Sequence, residues 1–519
     1  MMLLVRQILP CAKMFPLPVF ILFFALWGTF GYFSSKQNAW NVNTRLGLVY
    51  AIVEQGTFAI DAYHDQGHTK TGDKAFFQEH FYCDKPPALS FAAVPMYTLL
   101  WQVHRGLSHF GPVSQKQWVD KTRYILTVST VSLSAALLGC VLFAIAKSFG
   151  LSWILSFILS TGFLLGTVLA EYSATFYAYL PAALCNAWAY LLLLNARHHE
   201  NSLTTGTRLF WVGLLISLAG YIEMTSALAG IFLGLYALWM IRKKLFSCWK
   251  LIAGGMIPVS LFCWYNYALF GSISLPYRYE YNEFFRVEMA KGFQGIHLPQ
   301  LSILYYLTVH PFKGLFFHSP FLLLVFAGIW IGLFRHRRTA NSSAENAPKQ
   351  LSFLPDILLS IAIITGYFFY NSGYYSWWGG NSIGPRFLCP AIPFFISPLA
   401  IWLAVAKKKT KVFFWILLSL SIAFNVMVLS VHPNSLSKAN PPGLLEPKIS
   451  DNFKSPLLHK TIPYFIKGKE MLPNAGRCIG LRGLMSLSPL FLMWIGVAVW
   501  VRKYYLAEQA AIATTDKEA

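Results

Sequence analysis

Apolar runs of near membrane-crossing length recur from residue 15 almost to the end of the chain, and nothing else constrains its fold so strongly. Backbone N–H and C=O groups find no water inside a lipid bilayer, so such runs must form helices or a closed barrel. A helix needs about 20 residues to cross about 30 Å of hydrocarbon. Composition agrees with lipid as the main solvent, because 56% of residues are hydrophobic and only 12% are charged, where a soluble domain carries about 25% charged residues. The expected fold class is an all-α polytopic membrane protein.

The cleanest runs are 15–33, 124–146, 152–170, 178–195, 314–334, 355–371, 387–406, 412–430 and 485–501. Segment 210–241 is too long for one crossing and is interrupted at Gly220-Tyr221-Ile222-Glu223, so it reads as two. Segment 249–270 adds another, for about twelve helices. Basic runs then fall on one side: Lys147, Arg197, Arg242-Lys243-Lys244, Arg335-His336-Arg337-Arg338, Lys407-Lys408-Lys409 and Arg502-Lys503. By the positive-inside rule that side is the cytoplasm, and both termini are expected there. The net charge of +21 is carried largely in such runs at the ends of apolar segments, a pattern of topology determinants that argues against a nucleic-acid partner. The first run has a basic flank in Arg6 and Lys13 and continues into Phe30, Tyr32 and Phe33 without a cleavage site, so it is expected to stay as a membrane helix.

This orientation requires that residues 86–103, PPALSFAAVPMYTLLWQV, do not cross. They are expected as a helix in the external interface, with 45–55 as a second one, capped by Thr44 and ended by Gly56. The first external loop then spans about 34–122. Residues 1–430 form the membrane core, 431–484 an external loop of unknown fold, and 485–519 the last helix with a cytoplasmic tail. Residues 339–350 read as a polar cytoplasmic linker.

Chemistry concentrates in residues 41–95, which hold Glu54, Asp61, Asp65, Asp73, Glu79 and Asp84, six of only 21 acidic residues. Asp73-Lys74 and Asp84-Lys85 place carboxylates beside cations. A carboxylate at a membrane surface can take a proton from a hydroxyl, and a lysine beside it can hold a phosphate. A solvated loop with local ion pairs is the competing reading, weakened by the rigid Pro86-Pro87 turn that aims Asp84 and Lys85. Glu171, between two apolar runs, and Glu223, inside one, are costly at such depth and are functional candidates, with surface positions as the alternative. In YYSWWGGNSIGPRFLCPAIP the aromatic residues fit an interfacial belt, whereas the planar donor fork of Arg386 suits a phosphate. His310, Lys313 and His318 form a second cationic mouth, for which interfacial anchoring serves equally well. No CxxC spacing suggests zinc, and pairing of Cys83 with Cys478 stays open. A phosphate-binding GxxxxGK[ST] loop, HExxH, GxSxG and DxD are all missing.

The stretches NVNTRLGLVYAIVEQGTFAID, TGDKAFFQEHFYCDKPPALSFAAVPMY, HPFKGLFFHSPFLLL and WWGGNSIGPRFLCPAIP resemble the polytopic glycosyltransferases of the GT-C class. The likeness is to the bacterial branch related to lipid A aminoarabinose transferases and protein O-mannosyltransferases, and it runs to about residue 430. It implies a multi-pass enzyme of the inner membrane that moves a sugar from a polyprenyl-phosphate donor to a lipid, glycan or protein acceptor outside the cytoplasm, usually with inversion. Lys85 matches a family lysine that engages the lipid phosphate, Arg386 would join it, and Glu171 matches a second acidic residue. Such relatives carry an Asp-Glu pair where this chain has Val42-Asn43, so another loop carboxylate must serve as base. Asp61 ranks first, because it can reach back towards Val42-Asn43, and Asp73 and Asp84 take positioning roles. Lys85 is expected to lower the proton affinity of Asp84. No cofactor is expected, and no obligatory metal. A transporter or lipid flippase, or an inactive family member in envelope assembly, are the rival functions. If the first loop is wholly external, His68→Cys and Gln115→Cys in a cysteine-free background should both react with an impermeant thiol reagent from outside. Labelling at position 68 alone would overturn the orientation.

Overall fold

A computed structural model describes residues 16–35, 38–107, 114–197, 207–340, 353–380, 382–431 and 454–518. The flank Arg6 and Lys13, residues 341–350 of the expected linker and residues 432–453 of the last loop lie outside the described residues. Of the described residues, 74% are helical and 3% are strand.

Among the described residues, seven helices are long and apolar enough to cross a membrane: Gln115–Ser148, Tyr179–Arg197, Leu245–Phe270, Leu354–Gly373, Arg386–Val405, Lys408–Ser430 and Gly483–Ala507. Five shorter apolar helices, Leu17–Gly31, Trp153–Leu165, Arg208–Ile222, Met224–Met240 and Pro320–Phe334, fall on the other expected runs. Burial separates the long helices into two kinds. In Tyr179–Arg197 and Arg386–Val405 more than four-fifths of the apolar window is buried, against 11% in Leu245–Phe270 and 17% in Gly483–Ala507. Helices that are apolar yet present most of their surface outwards need a solvent of hydrocarbon, which identifies a membrane protein.

The expected break at Glu223 is present. Helix Arg208–Ile222 ends there, Glu223 is extended (φ −149°, ψ 114°), and a new helix runs over Ala227–Met240. Carbonyls freed by the break find partners, since Asn186 Nδ2 donates to Ser226 O (3.0 Å) and the Tyr367 hydroxyl to Thr225 O (2.7 Å). That repair is what allows irregular backbone inside an apolar bundle.

The elements expected in the first loop differ from expectation in two ways. The short helix runs over Trp40–Tyr50, prolonged by a wide turn over Ala51–Gln55 and ended by Gly56 at φ 68°. Thr44 therefore sits inside it rather than capping it, and residues 42–51 are buried by protein rather than lying on an interface. Helix formation also begins earlier at the end of the loop, because Ser114 accepts from Gln117 N and starts the continuous helix Gln115–Ser148. The loop thus loses its last turns to that helix. Helix Ala88–Leu107 is 20 residues long but is not among the spans apolar enough to cross.

Between these helices the chain forms a small hairpin, β1 (Ala75–Phe77) with β2 (His80–Tyr82), closed by Gln78 and Glu79 at φ 48° and 66°. Two successive positive-φ residues match the right-handed strand twist of a two-residue hairpin. Glu280, from the loop after Phe270, bridges to Ala75, and Tyr281 N donates to Lys74 O (2.9 Å). Ile60, Ala75 and Cys83 pack with Tyr265, Leu269 and Phe270, so the hairpin layer rests on the end of helix Leu245–Phe270. Residues 454–487 are not a separate domain. Ser34 N donates to Pro473 O (2.8 Å), Leu472 N to Ser430 O (2.8 Å) and Ala475 N to Tyr32 O (3.0 Å). Cys83 is buried, Cys478 exposed, and both are free thiols.

Helices Arg208–Ile222 and Cys248–Phe270 touch backbone to backbone: a Cβ on Gly213 would lie 1.9 Å from Leu251 O, and one on Gly254 1.9 Å from Phe210 O. Gly254→Ala is therefore expected to destabilise the protein by about 1–3 kcal/mol through overpacking, whereas Gly496→Ala, with nothing within 4 Å of its Cβ, should leave the thermal midpoint of the purified protein unchanged.

Candidate active site

Arg45 has 0% exposure and organises one end of the bundle. Its Nη2 donates to Glu223 Oε2 (3.1 Å), its Nη1 to Pro86 O (2.9 Å) and its Nε to Asn41 Oδ1 (3.3 Å). Ser90 Oγ donates to Arg45 O (3.0 Å). One guanidinium thus joins the short helix, the Pro86-Pro87 turn and the break at Glu223, 178 residues away. Glu223 meets its charge partner at the place where the apolar run is broken.

The turn fixed by Arg45 presents Lys85, whose Nζ is 3.1 Å from Asp73 Oδ2 and also contacts Asp84 Oδ2. Burial alone would lower the Lys85 pKa, but Asp73 and Asp84 outweigh it and hold the group well above the ordinary lysine value, as an ammonium. Asp84 behaves otherwise than its neighbour suggested. Burial is the largest influence and raises its pKa, Asp73 adds to that, and Lys85 offsets only part. Its Oδ1 is buried without a partner. Glu280 is 2% exposed and accepts from Asn282 N (3.2 Å), and burial followed by the Asp84 charge raises its pKa too. Asp73 is placed by Thr71, whose Oγ1 accepts from Asp73 N (3.1 Å) and donates to Trp40 O (3.0 Å). Between them Gly72 lies on the Trp40 ring, where a Cβ would come within 2.7 Å.

Asp73, Lys85, Glu223, Glu280 and Arg386 line one cavity of about 440 Å³ between the hairpin layer and the bundle. Tyrosines complete its wall, among them Tyr179, Tyr277, Tyr370 and Tyr375. Arg386 enters from the far side, with its Cζ 4.9 Å from the Phe387 ring centre and 5.8 Å from that of Tyr177. Among the described residues it forms no ion pair, and its Nε has no hydrogen-bond partner. Lys85 and Arg386, 301 positions apart in sequence, converge on one space.

Other residues singled out in the sequence lie elsewhere. Asp61 is not on the cavity wall: its Oδ2 pairs with His80 Nδ1 (2.7 Å), its Oδ1 accepts from Phe81 N (2.7 Å), and its side chain is 42% exposed. Asp84 lies behind Lys85 rather than on the wall. Glu171 borders a separate small cleft with Ser35 and Leu472, and burial raises its pKa to about 7 against the opposing charge of Lys313. Lys313 is fully buried and donates to Gly380 O (3.1 Å), Ser382 Oγ (3.0 Å) and Ser382 O. His310 Nδ1 accepts from Phe312 N (3.1 Å) and shapes its own turn. His318 is buried.

Among the described residues no group of three or more His, Cys, Asp and Glu side chains is arranged to hold a metal ion. Compared with protein-family models, with curated proteins and with solved structures, the chain matches none. Sequence reasoning missed Arg45, Asn41 and Glu280. A charged residue in the otherwise apolar RLGLVYA stretch was a signal for Arg45; Glu280 had none, because its position depends on pairing with the hairpin.

Removing one partner of a buried ion pair strands the other charge. Arg45→Ala and Glu223→Ala are each expected to cost about 3–5 kcal/mol, and the Arg45→Leu, Glu223→Leu double variant less than the sum. Thermal unfolding of the purified variants reads this, and additive losses would dissolve the proposed clamp.

Proposed function

We propose that the chain is a membrane glycosyltransferase of the GT-C class, taking its sugar from a polyprenyl-phosphate donor and transferring it to an acceptor outside the cytoplasm. The observation that carries this reading is the adjacency of two dissimilar spaces. The polar cavity with Lys85 and Arg386 shares Met224 and Ile231 with a groove of about 450 Å³ whose other walls include Ile216, Ala227, Val259 and Phe262. A ligand matching both is an amphiphile with an anionic head and a long apolar tail. In this reading all twelve apolar helices cross the inner membrane, helix Ala88–Leu107 lies at the external surface, and the cavity opens away from the cytoplasm.

The chemistry follows from the residues on the wall. Lys85, held as an ammonium, and the unpaired guanidinium of Arg386 bind the donor phosphate from two sides. Asp73 is the carboxylate that both lines the cavity and lies 3.1 Å from Lys85 Nζ, so it replaces Asp61 as the preferred base. The acceptor hydroxyl attacks the anomeric carbon and passes its proton to Asp73. The bond from that carbon to the phosphate oxygen breaks, with inversion, and the polyprenyl phosphate leaves with its negative charge on Lys85 and Arg386. Glu280 and the tyrosines offer hydrogen bonds to sugar hydroxyls.

Mass spectrometry of envelope lipids and glycans with and without the gene should reveal one missing sugar and so name donor and acceptor. With these, Asp73→Asn should lower transfer by ~10²–10⁴-fold, the usual effect of losing a general base, while Asp61→Asn stays near wild type. An unchanged set of glycans would remove the transferase reading, and movement of lipid between leaflets without sugar transfer would put a flippase in its place.

A further inference from the structure

Lys313 and Glu171 stand outside the cavity, yet both act on the stretch that delivers Arg386 into it. That stretch has an unusual backbone: Gly379, Gly380 and Gly384 adopt φ of 67°, 69° and 65°. Glycine keeps more conformational freedom than any other residue, so three such positions within six residues define a shape only if something else holds them. The Lys313 Nζ does so. Fully buried, it hydrogen-bonds with Gly380 O, Ser382 O and Ser382 Oγ, and Ser382 Oγ donates in turn to Gly379 O (3.2 Å). From another side the Glu171 carboxyl takes a backbone hydrogen bond from Ile383 and interacts electrostatically with Lys313.

The link to Arg386 is steric. Its side chain lies directly on Gly379, where a Cβ would stand 2.8 Å from Arg386 Cγ and 2.9 Å from its Nε. Arg386 has no ion pair of its own among the described residues; it lies by the faces of Phe387 and Tyr177 and hydrogen-bonds the Tyr177 hydroxyl. Its direction is therefore set together by the Tyr177 hydroxyl and by the glycine stretch beneath it. We infer that Lys313, supported by Glu171, is a positioning residue that sets the aim of Arg386 into the cavity, and is not itself a ligand for the anion. This inference rests on the proposed role of Arg386 in phosphate binding, and adds to it that a second, buried cationic side chain works through the backbone.

The test uses the full-length protein in lipid nanodiscs, with a long polyprenyl phosphate as the probe and hydrogen exchange as an independent readout. Arg386→Ala and Lys313→Met should each weaken probe binding roughly tenfold or more, as expected when one partner of a desolvated charge contact is lost, and the double variant should bind no worse than either alone. Ser382→Ala, which removes one of the three contacts, should give a smaller loss. Lys313→Met should also speed amide exchange at 382–388, while Arg386→Ala should not. If Lys313→Met fails to fold, Ser382→Ala and Glu171→Gln carry the same comparison. Losses that add in the double variant would make Lys313 a direct ligand and overturn the inference. So would wild-type binding and exchange in Lys313→Met. If the wild-type protein does not bind the probe at all, phosphate binding by this cavity fails, and the exchange of residues 382–388 still decides whether Lys313 holds Arg386 in place.

Discussion

A guanidinium that has no water must find hydrogen bonds within the protein, and one end of this molecule is arranged around that need. Arg45 reaches Glu223, the Pro86 carbonyl and Asn41 at once, so the three segments bearing those groups have a single relative placement. The break in the apolar run at Glu223 then has a reason to exist, because a continuous helix would carry the carboxylate past its partner. The Pro86-Pro87 turn is also anchored, and with it the direction of Lys85. An ion pair like this adds little net stability compared with well-packed apolar residues, but it penalises every arrangement in which the charges are apart.

The two cations of the cavity differ in kind. Lys85 sits between Asp73 and Asp84 and is kept charged by them, while Arg386 faces the same space without a carboxylate partner among the described residues. Around Lys85, burial and mutual repulsion raise the pKa of Asp84 and Glu280, which reduces the negative charge that an incoming anion would meet. An anion entering the cavity would thus find one cation already oriented by its neighbours and another with spare hydrogen-bonding capacity. The groove that shares Met224 and Ile231 with the cavity adds an apolar surface within reach of the same site.

Much of the architecture was legible because the solvent leaves few options. Apolar runs of sufficient length must be helices where no water reaches the backbone, and helices occupy every expected run, including the two halves separated at Glu223. The extents of the external elements were less legible. Thr44 looked like a cap, but the helix starts at Trp40 because the residues after it are buried by tertiary packing, and burial outweighs the modest preference of a capping side chain. The start at Gln115 was missed because a polar amphipathic helix is not marked by hydropathy.

For the candidate site the division follows from range. Local sequence was enough to single out Asp73, Asp84, Lys85 and Arg386, since charges beside rigid turns or at the ends of apolar runs are costly and conspicuous without any knowledge of the fold. Which of them meet was beyond it. Asp61 looked as able to reach the site as Asp73, yet the hairpin turns it outwards to His80; Glu280 looked like one more loop residue, yet a bridge to Ala75 brings it to the cavity. The sequence by itself determined the membrane class, the helical runs and the stock of charged groups, because those depend on composition and nearest neighbours. Only the tertiary structure decided that Arg45 pairs with Glu223, that Lys85 and Arg386 share a cavity and that Lys313 points into backbone, because each depends on contacts between segments tens to hundreds of residues apart, which no local pattern records.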